Sequence, residues 1–279
     1  FMKKTGYKDI FIFITGSTPQ VITETIYALA MKKPSVYPDG IFILTTCKGK
    51  ELAEKALFDR GILKTLTDEY DMPPIDTKQI SFIIPSDCSG NLLDDIRDEA
   101  ENEAMGDLIT SFIREKTKIP SYKLHCSIAG GRKTMSFYLG AAMQLFARPW
   151  DRLYHVLVTP EFESNPEFFY KPKKDKELTP PCSPSLSKRG VGGVTGTSLK
   201  RLNTRDAEIY LAELPFIRLS DKISLNGKGF KELVKEGQKE INMAIIQPEL
   251  KVNLTEKTLK IGDKIIKLPP INLMIYAAY

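Results

Sequence analysis

Three features of the 279-residue sequence predict an α/β fold built on a doubly wound, mainly parallel sheet. Short runs of β-branched and aromatic residues recur, each suited to a strand covered on both faces. A break rich in Gly, Ser, Thr or Pro follows each run. Beyond each break the apolar residues fall at helical spacing, and this repeated alternation is the mark of parallel strands joined by crossover helices.

The elements follow in order. Ile10–Ile14 (IFIFI) is the first strand. Gly16-Ser17-Thr18-Pro19 ends it and Gln20–Met31 is the first helix, with Ser17 or Thr18 as its expected N-cap and Pro19 in its first turn. A second strand, Ile41–Thr45, leads through Thr46-Cys47-Lys48-Gly49 into a helix from Glu51 to about Arg60. Ile80–Ile84 is the third strand, Pro85-Ser86-Asp87 its exit, and Leu92 to Lys116 a long helix. Leu124–Ile128 is the fourth, followed by Ala129-Gly130-Gly131 and a helix over Lys133–Ala147. Leu153–Val158 is the fifth. Regularity then fades: residues 171–206 are rich in Pro, Lys, Ser and Gly and read as a loop or insertion. Ile209–Leu219 resumes as a strand, ending a first domain over 1–220. The remainder, 221–279, reads as a small α+β tail of winged-helix type: a helix over Gly229–Gln247, two or three strands in Leu250–Ile266 with a turn at Gly262-Asp263, and a helix from Ile271. The chain stops apolar in mid-pattern at Tyr279, which predicts a truncated end or a tail packed on a partner.

Composition narrows the function classes. With 42% apolar and 27% charged residues, disordered and fibrous classes are excluded. No run approaches the ~20 apolar residues of a membrane helix, and the N-terminus lacks the apolar core of a signal peptide. The four cysteines, Cys47, Cys88, Cys126 and Cys182, form no CxxC pair, so neither a zinc knuckle nor a disulfide framework is expected and a reducing, cytoplasmic setting follows. Net charge is only +5 and the charges are interspersed, which argues against duplex DNA as partner and leaves small anions open.

Ligands of an open parallel sheet bind beyond the carboxyl ends of its strands, where helix N-termini present free amides. Two segments qualify: Thr15-Gly16-Ser17-Thr18-Pro19-Gln20 and Ser127-Ile128-Ala129-Gly130-Gly131-Arg132-Lys133-Thr134. Glycines admit an anion to the backbone, hydroxyls donate, and Arg132 and Lys133 bring charge. Neither GxGxxG nor GxxxxGK[ST] occurs, so a Walker-type hydrolase is not expected. The same glycines also suit plain strand–helix turns. His125 and His155 fall inside strands and read as sheet or core histidines rather than catalytic ones. Glu161 and Glu163 read as a solvated pair at the ligand end of the sheet, and Asp94, Asp95, Asp98 and Glu99 as a charged helix start. Lys173-Lys174 and Lys188-Arg189 read as solvated loop charge, with residues 190–196 as a lid over a ligand.

Three segments carry a resemblance: FITGSTPQVITETIYAL, LHCSIAGGRKTMSFYLGAAMQLFARPWDRLYHVLV and IYLAELPFIRL. In this order the chain resembles the CARF domains (CRISPR-associated Rossmann fold), in the ring nuclease branch of type III systems, over about Lys8 to Leu219. The resemblance implies a Rossmann-like fold and a homodimer binding cyclic oligoadenylate, tetra- or hexa-adenylate, across its two-fold axis. It implies metal-independent cleavage, with no cofactor. It places Lys133, Ser17 and Thr18 in catalysis. Gly16, Gln20, Cys47, Lys48, Gly49, Ser86, Asp87, Ala129, Gly130, Gly131, Arg132 and Thr134 fall to ligand binding. Two other outcomes stay open: a non-cleaving sensor of the same ligand, for an effector outside these residues, and a transcription factor. Against the last, Lys257, Lys260, Lys264 and Lys267 sit near Glu249, Glu256 and Asp263, with no clear recognition helix. No HEPN-type Arg-x4–6-His motif precedes either histidine.

Overall fold

The computed structural model describes residues 6–163, 165–179, 201–220, 225–227, 229–245, 250–261 and 264–277. The chain divides into two units: Phe1–Lys222 with Lys228–Phe230, and Ile223–Gly227 with Lys231–Tyr279.

The first unit is an α/β sandwich. Its strands are β1 (Lys8–Ile14), β2 (Gly40–Leu44), β3 (Ile80–Ile83), β4 (Tyr122–Ser127), β5 (Arg152–Val158) and, after a two-stranded ribbon of β6 (Glu177–Leu178) and β7 (Leu202–Asn203), β8 (Ile209–Glu213). They form a six-stranded sheet in the order β3-β2-β1-β4-β5-β8, parallel except for the antiparallel edge strand β8. The helices are α1 (Gln20–Ala30), α2 (Cys47–Glu54), α3 (Ile62–Glu69), α4 (Glu99–Thr117), α5 (Lys133–Phe146) and a single turn, α6 (Pro160–Glu163).

The IFIFI run shows why the sheet is doubly covered. Side chains alternate across a strand, so Phe11 and Phe13 join one core with Ile22, Ile26 and Leu29 of α1. Ile10, Ile12 and Ile14 join the opposite core with Ile109 and Ile113 of α4 and Leu139 and Met143 of α5. All five side chains of Ile10–Ile14 are almost wholly buried.

Several boundaries differ from those the sequence predicts. Pro19 itself occupies the N-cap of α1 with no side-chain cap bond, so neither Ser17 nor Thr18 caps it. The second helix begins at Cys47 rather than Glu51, because Thr46 is its cap and accepts from Gly49 N; it passes into a π-helical turn at Lys55–Asp59. The long helix begins at Glu99, not Leu92. Asp98 caps it through Glu101 N, while the Leu93 and Asp94 carbonyls are engaged by the amides of Cys47 and Lys48. β8 stops at Glu213, where Pro215 withdraws an amide from the ladder. Part of the expected 171–206 loop is the β6–β7 ribbon, whereas Cys182, Lys188-Arg189 and the lid expected at 190–196 lie outside the described residues.

The second unit contains α7 (Phe230–Ile245), the antiparallel strands β9 (Leu250–Asn253), β10 (Thr258–Ile261) and β11 (Lys264–Lys267), and α8 (Pro270–Ala277). Among the described residues Leu225, Leu233 and Leu259 are its buried apolar side chains, and Glu236 accepts the amides of Asn226 and Gly227.

Candidate functional site

β1 and β4 are neighbours, yet the helices that follow them go to opposite faces of the sheet. Such a reversal leaves a crevice at the carboxyl ends of the strands. The crevice is real here: a cavity of about 320 Å³ opens beyond β1, β2 and β4. Its walls are three backbone turns and the start of a helix: Gly16 and Ser17 after β1, Thr46, Lys48 and Gly49 after β2, and Gly131 and Arg132 after β4. Leu52 and Asp95 complete it.

Glycine is required where those turns meet. A methyl on Gly49 would lie 2.1 Å from Thr45 Oγ1 and 3.3 Å from the Gly16 carbonyl oxygen. One on Gly130 would lie only 2.5 Å from the Ile14 oxygen, whereas one on Gly16 would make an ordinary contact with Gly131 Cα at 3.5 Å. Gly131 adopts φ +71°, a left-handed turn that sends the chain from β4 into α5. Threonines fasten the same turns together. Thr45 donates to the Thr15 carbonyl at 2.7 Å, and Thr15 Oγ1 donates to that of Thr18.

Charge in the cavity is cationic, with one counter-charge. Lys48 is exposed at its wall. Arg132 Nη2 donates to Asp95 Oδ1 at 3.0 Å, and Asp95 also accepts from Ile96 N. The Ile96 amide first and Arg132 second hold the Asp95 carboxyl below its usual range. The α2 N-terminus is not an open anion site, because Cys47 N and Lys48 N donate to Leu93 and Asp94. The first amides of α5, at Lys133 and Thr134, have no intrahelical acceptor by position.

Of the residues the sequence singles out, the structure brings Gly16, Ser17, Lys48, Gly49, Gly131 and Arg132 to one cavity. Lys133 and Thr134 are exposed on the first turn of α5, outside the cavity wall. Cys47 heads α2, and Gly130 and Ala129 form the turn behind the cavity. Thr18 and Gln20 flank the start of α1. Ser86 bridges to Leu92, and Asp87 accepts from the amide and side chain of Asn91 first and from the Ser89 amide second, which lowers its pKa. That carboxylate therefore already organises its own loop. Sequence reading missed Leu52 and Thr46, and Asp95 was assigned to a helix start; only the fold carries these to the cavity.

A second polar group lies one turn into α1. Gln20 is buried and its Oε1 has no hydrogen-bond partner. Glu24, four residues on, is buried too; burial first and the nearby Glu163 carboxylate second push its pKa up to about 8. Glu163 is exposed and so is Glu161, as expected of the α6 turn. His125 is a core residue: Nε2 sits 2.9 Å from Asp9 Oδ1 and the ring stacks on Tyr154. His155 lies in β5 with a buried, unpartnered Nδ1. Among the described residues no group of three or more His, Cys, Asp or Glu is arranged to hold a metal ion, and no helix is long and apolar enough to cross a membrane.

No curated protein matches the sequence. A solved structure described as a putative UDP-N-acetylglucosamine 2-epimerase from Listeria monocytogenes is similar at 17% identity, covering 49% of this chain and 28% of that one, with a TM-score of 0.25. At that score the likeness carries no argument. A family model, described as CRISPR-associated protein NE0113, matches residues 18–251. That span takes in every residue lining the cavity except Gly16 and Ser17 and extends beyond the sheet, and the chain belongs to this CRISPR-associated family.

Proposed function

We propose that the first unit is a CARF domain of a type III system. On this reading it binds cyclic oligoadenylate in a homodimer and cleaves it as a ring nuclease. The observation that carries this reading is the cavity at the β1/β4 reversal, walled by glycine backbone and holding the cations of Lys48 and Arg132. Backbone turns without side chains admit a phosphate closely, and cations at its oxygens form the stronger class of hydrogen bond. Two copies related by a two-fold axis supply two such turns to one ring.

Cleavage uses the ligand's own nucleophile. A ribose 2′-oxygen attacks the adjacent phosphorus while its proton leaves. The P–O5′ bond breaks and the 5′-oxygen takes up a proton, giving a 2′,3′-cyclic phosphate and a 5′-hydroxyl. The protein's part is alignment and charge stabilisation. Ser17 and Thr18 orient ribose and phosphate, Lys133 at the head of α5 stabilises the crowded phosphorane, and Arg132 holds a second phosphate oxygen.

One observation favours a second reading, the non-cleaving sensor. Arg132 is already paired with Asp95 through Nη2, so a phosphate that takes the same donor competes with that carboxylate. Such an exchange is a way for ligand to move the 93–95 loop and pass a signal on.

Ligand-induced stabilisation tests the binding step common to both. Cyclic tetra-adenylate should raise the melting temperature, and Arg132→Ala and Lys48→Ala should each weaken that effect, by about tenfold or more in apparent affinity at ~1.5–3 kcal/mol per charged hydrogen bond. An undiminished shift in both variants would remove the cavity from the account.

A further inference from the structure

A second cavity of the first unit, also about 320 Å³, lies at the other end of the sheet, by the amino end of β5. It opens where β5 begins at Arg152 and its antiparallel neighbour β8 ends at Glu213. The chain beyond β8 forms one wall. Leu214 N donates to the Leu153 carbonyl at 2.8 Å and Leu219 N to that of Gln144 at 2.9 Å, so this wall is fastened at both ends. The volume falls within the ~300–1,000 Å³ of ordinary small-molecule sites.

Two guanidiniums line the cavity, and backbone oxygens orient both. Arg152 Nη1 donates to the carbonyls of Pro149 at 2.7 Å and Asp151 at 3.0 Å, while its Nε lies 3.0 Å from Glu213 Oε1. Arg218 Nε donates to the Arg148 carbonyl at 3.1 Å, and its Nη2 donates to the same Asp151 oxygen at 3.2 Å. Its guanidinium carbon sits 4.5 Å from the centre of the Phe216 ring. One carbonyl oxygen can accept both donors, and here it draws the two cations together. A guanidinium carries five N–H groups in fixed directions. Among the described residues Arg152 Nη2 and Arg218 Nη1 have no acceptor.

The charge is mixed. Glu213 is on the wall, shared between Arg152 and the Lys32 ammonium at 3.7 Å, and Arg148 is engaged by Asp151. Two guanidiniums beside one carboxylate suit a singly charged anion. Leu153, Leu214 and Phe216 offer that anion an apolar body contact. An oxyanion can take Arg152 Nη2 and Arg218 Nη1 without breaking any bond the two arginines already make. Because both side chains are already held, little rotamer freedom is lost on binding.

We propose that this cavity is a second ligand site, which binds a small organic anion: one carboxylate or phosphodiester group carried on an apolar body. The proposal goes beyond the cyclic-oligoadenylate reading and does not depend on it.

The test is calorimetric titration of the full chain with benzoate and, separately, with diphenyl phosphate; neutral benzamide is the control. At least one of the anions should saturate a single site per chain, and the tighter of the two tells carboxylate from phosphodiester. Benzamide should not bind, and affinity equal to benzoate's would overturn the proposal. Arg152→Met and Arg218→Met should each weaken the anion about tenfold or more, as the loss of a charge-assisted bond predicts. Circular dichroism and the melting temperature identify the folded variants. Arg218→Lys keeps the charge without the fork and should also bind more weakly, so it carries the test if the Met variants unfold. Unchanged affinity in the folded arginine variants would overturn the proposal. So would a loss confined to Lys48→Ala, which would move the anion to the glycine-walled cavity. Asp221, three residues beyond Arg218, lies outside the described residues. Binding seen only in Asp221→Asn would mean that the chain's own carboxylate holds these donors, and no binding in either protein would leave no site; both results overturn the proposal. The melting shift with cyclic tetra-adenylate should be the same in the folded arginine variants, which separates this result from the first cavity's.

Discussion

Replacing Glu24 with Gln tests the electrostatics of the first unit directly. The carboxyl is buried in α1 and its pKa stands near 8 against an ordinary 4.5, with burial the larger cause and Glu163 the lesser. The sign follows from proton counts. Between pH 4.5 and 8 the folded state holds a proton that the unfolded state has released. Stability is therefore greatest below the unfolded pKa and falls as pH rises through this window. At ~1.4 kcal/mol per pH unit the group accounts for about 5 kcal/mol across the range, as an order of magnitude. Gln keeps the shape of the side chain and has nothing to ionise. Urea unfolding followed by fluorescence is the assay, because the single tryptophan, Trp150, lies in the same unit. The difference in unfolding free energy between wild type and Glu24→Gln should widen steadily in favour of the variant from pH 4.5 to 8. Parallel pH profiles for the two proteins would refute the reasoning and leave Glu24 ionised in the fold.

Other outcomes follow from the same geometry. Gly130→Ala drives a methyl to 2.5 Å from the Ile14 oxygen, so it should cost about 1–3 kcal/mol in urea unfolding; a neutral effect would mean the β1 and β4 turns are not in contact as described. Asp95→Asn frees Arg132 while retaining an acceptor for Ile96 N, and should tighten cyclic tetra-adenylate about two- to fivefold by calorimetry, as for an exposed pair of ~1 kcal/mol or less. Weaker binding in that variant would give Asp95 a direct ligand contact instead. Lys133→Ala should abolish turnover with binding retained. Ser17→Ala should slow cleavage more than it weakens affinity, and equal losses would recast Ser17 as a simple contact.

The fold was legible because its signals are local. Alternation within IFIFI and the glycine breaks after β1 and β4 fix strands and turns by backbone preference alone. Helix starts were less legible, since Asp94, Asp95 and Asp98 all suit a cap and tertiary bonds from Cys47 N and Lys48 N decide among them. The cavity was half legible. Gly16, Ser17, Gly131 and Arg132 lie in conspicuous turns, whereas Asp95 reaches the site only because its loop crosses the start of α2. Glu24 gives no sequence signal, for a glutamate one turn into an amphipathic helix ordinarily faces water.

The most direct test of the central proposal is incubation of the purified protein with cyclic tetra-adenylate and, separately, cyclic hexa-adenylate, in EDTA, followed by chromatography. The account predicts linear fragments ending in a 2′,3′-cyclic phosphate from one of the two rings. Rings that emerge intact and leave the melting temperature unmoved would contradict it.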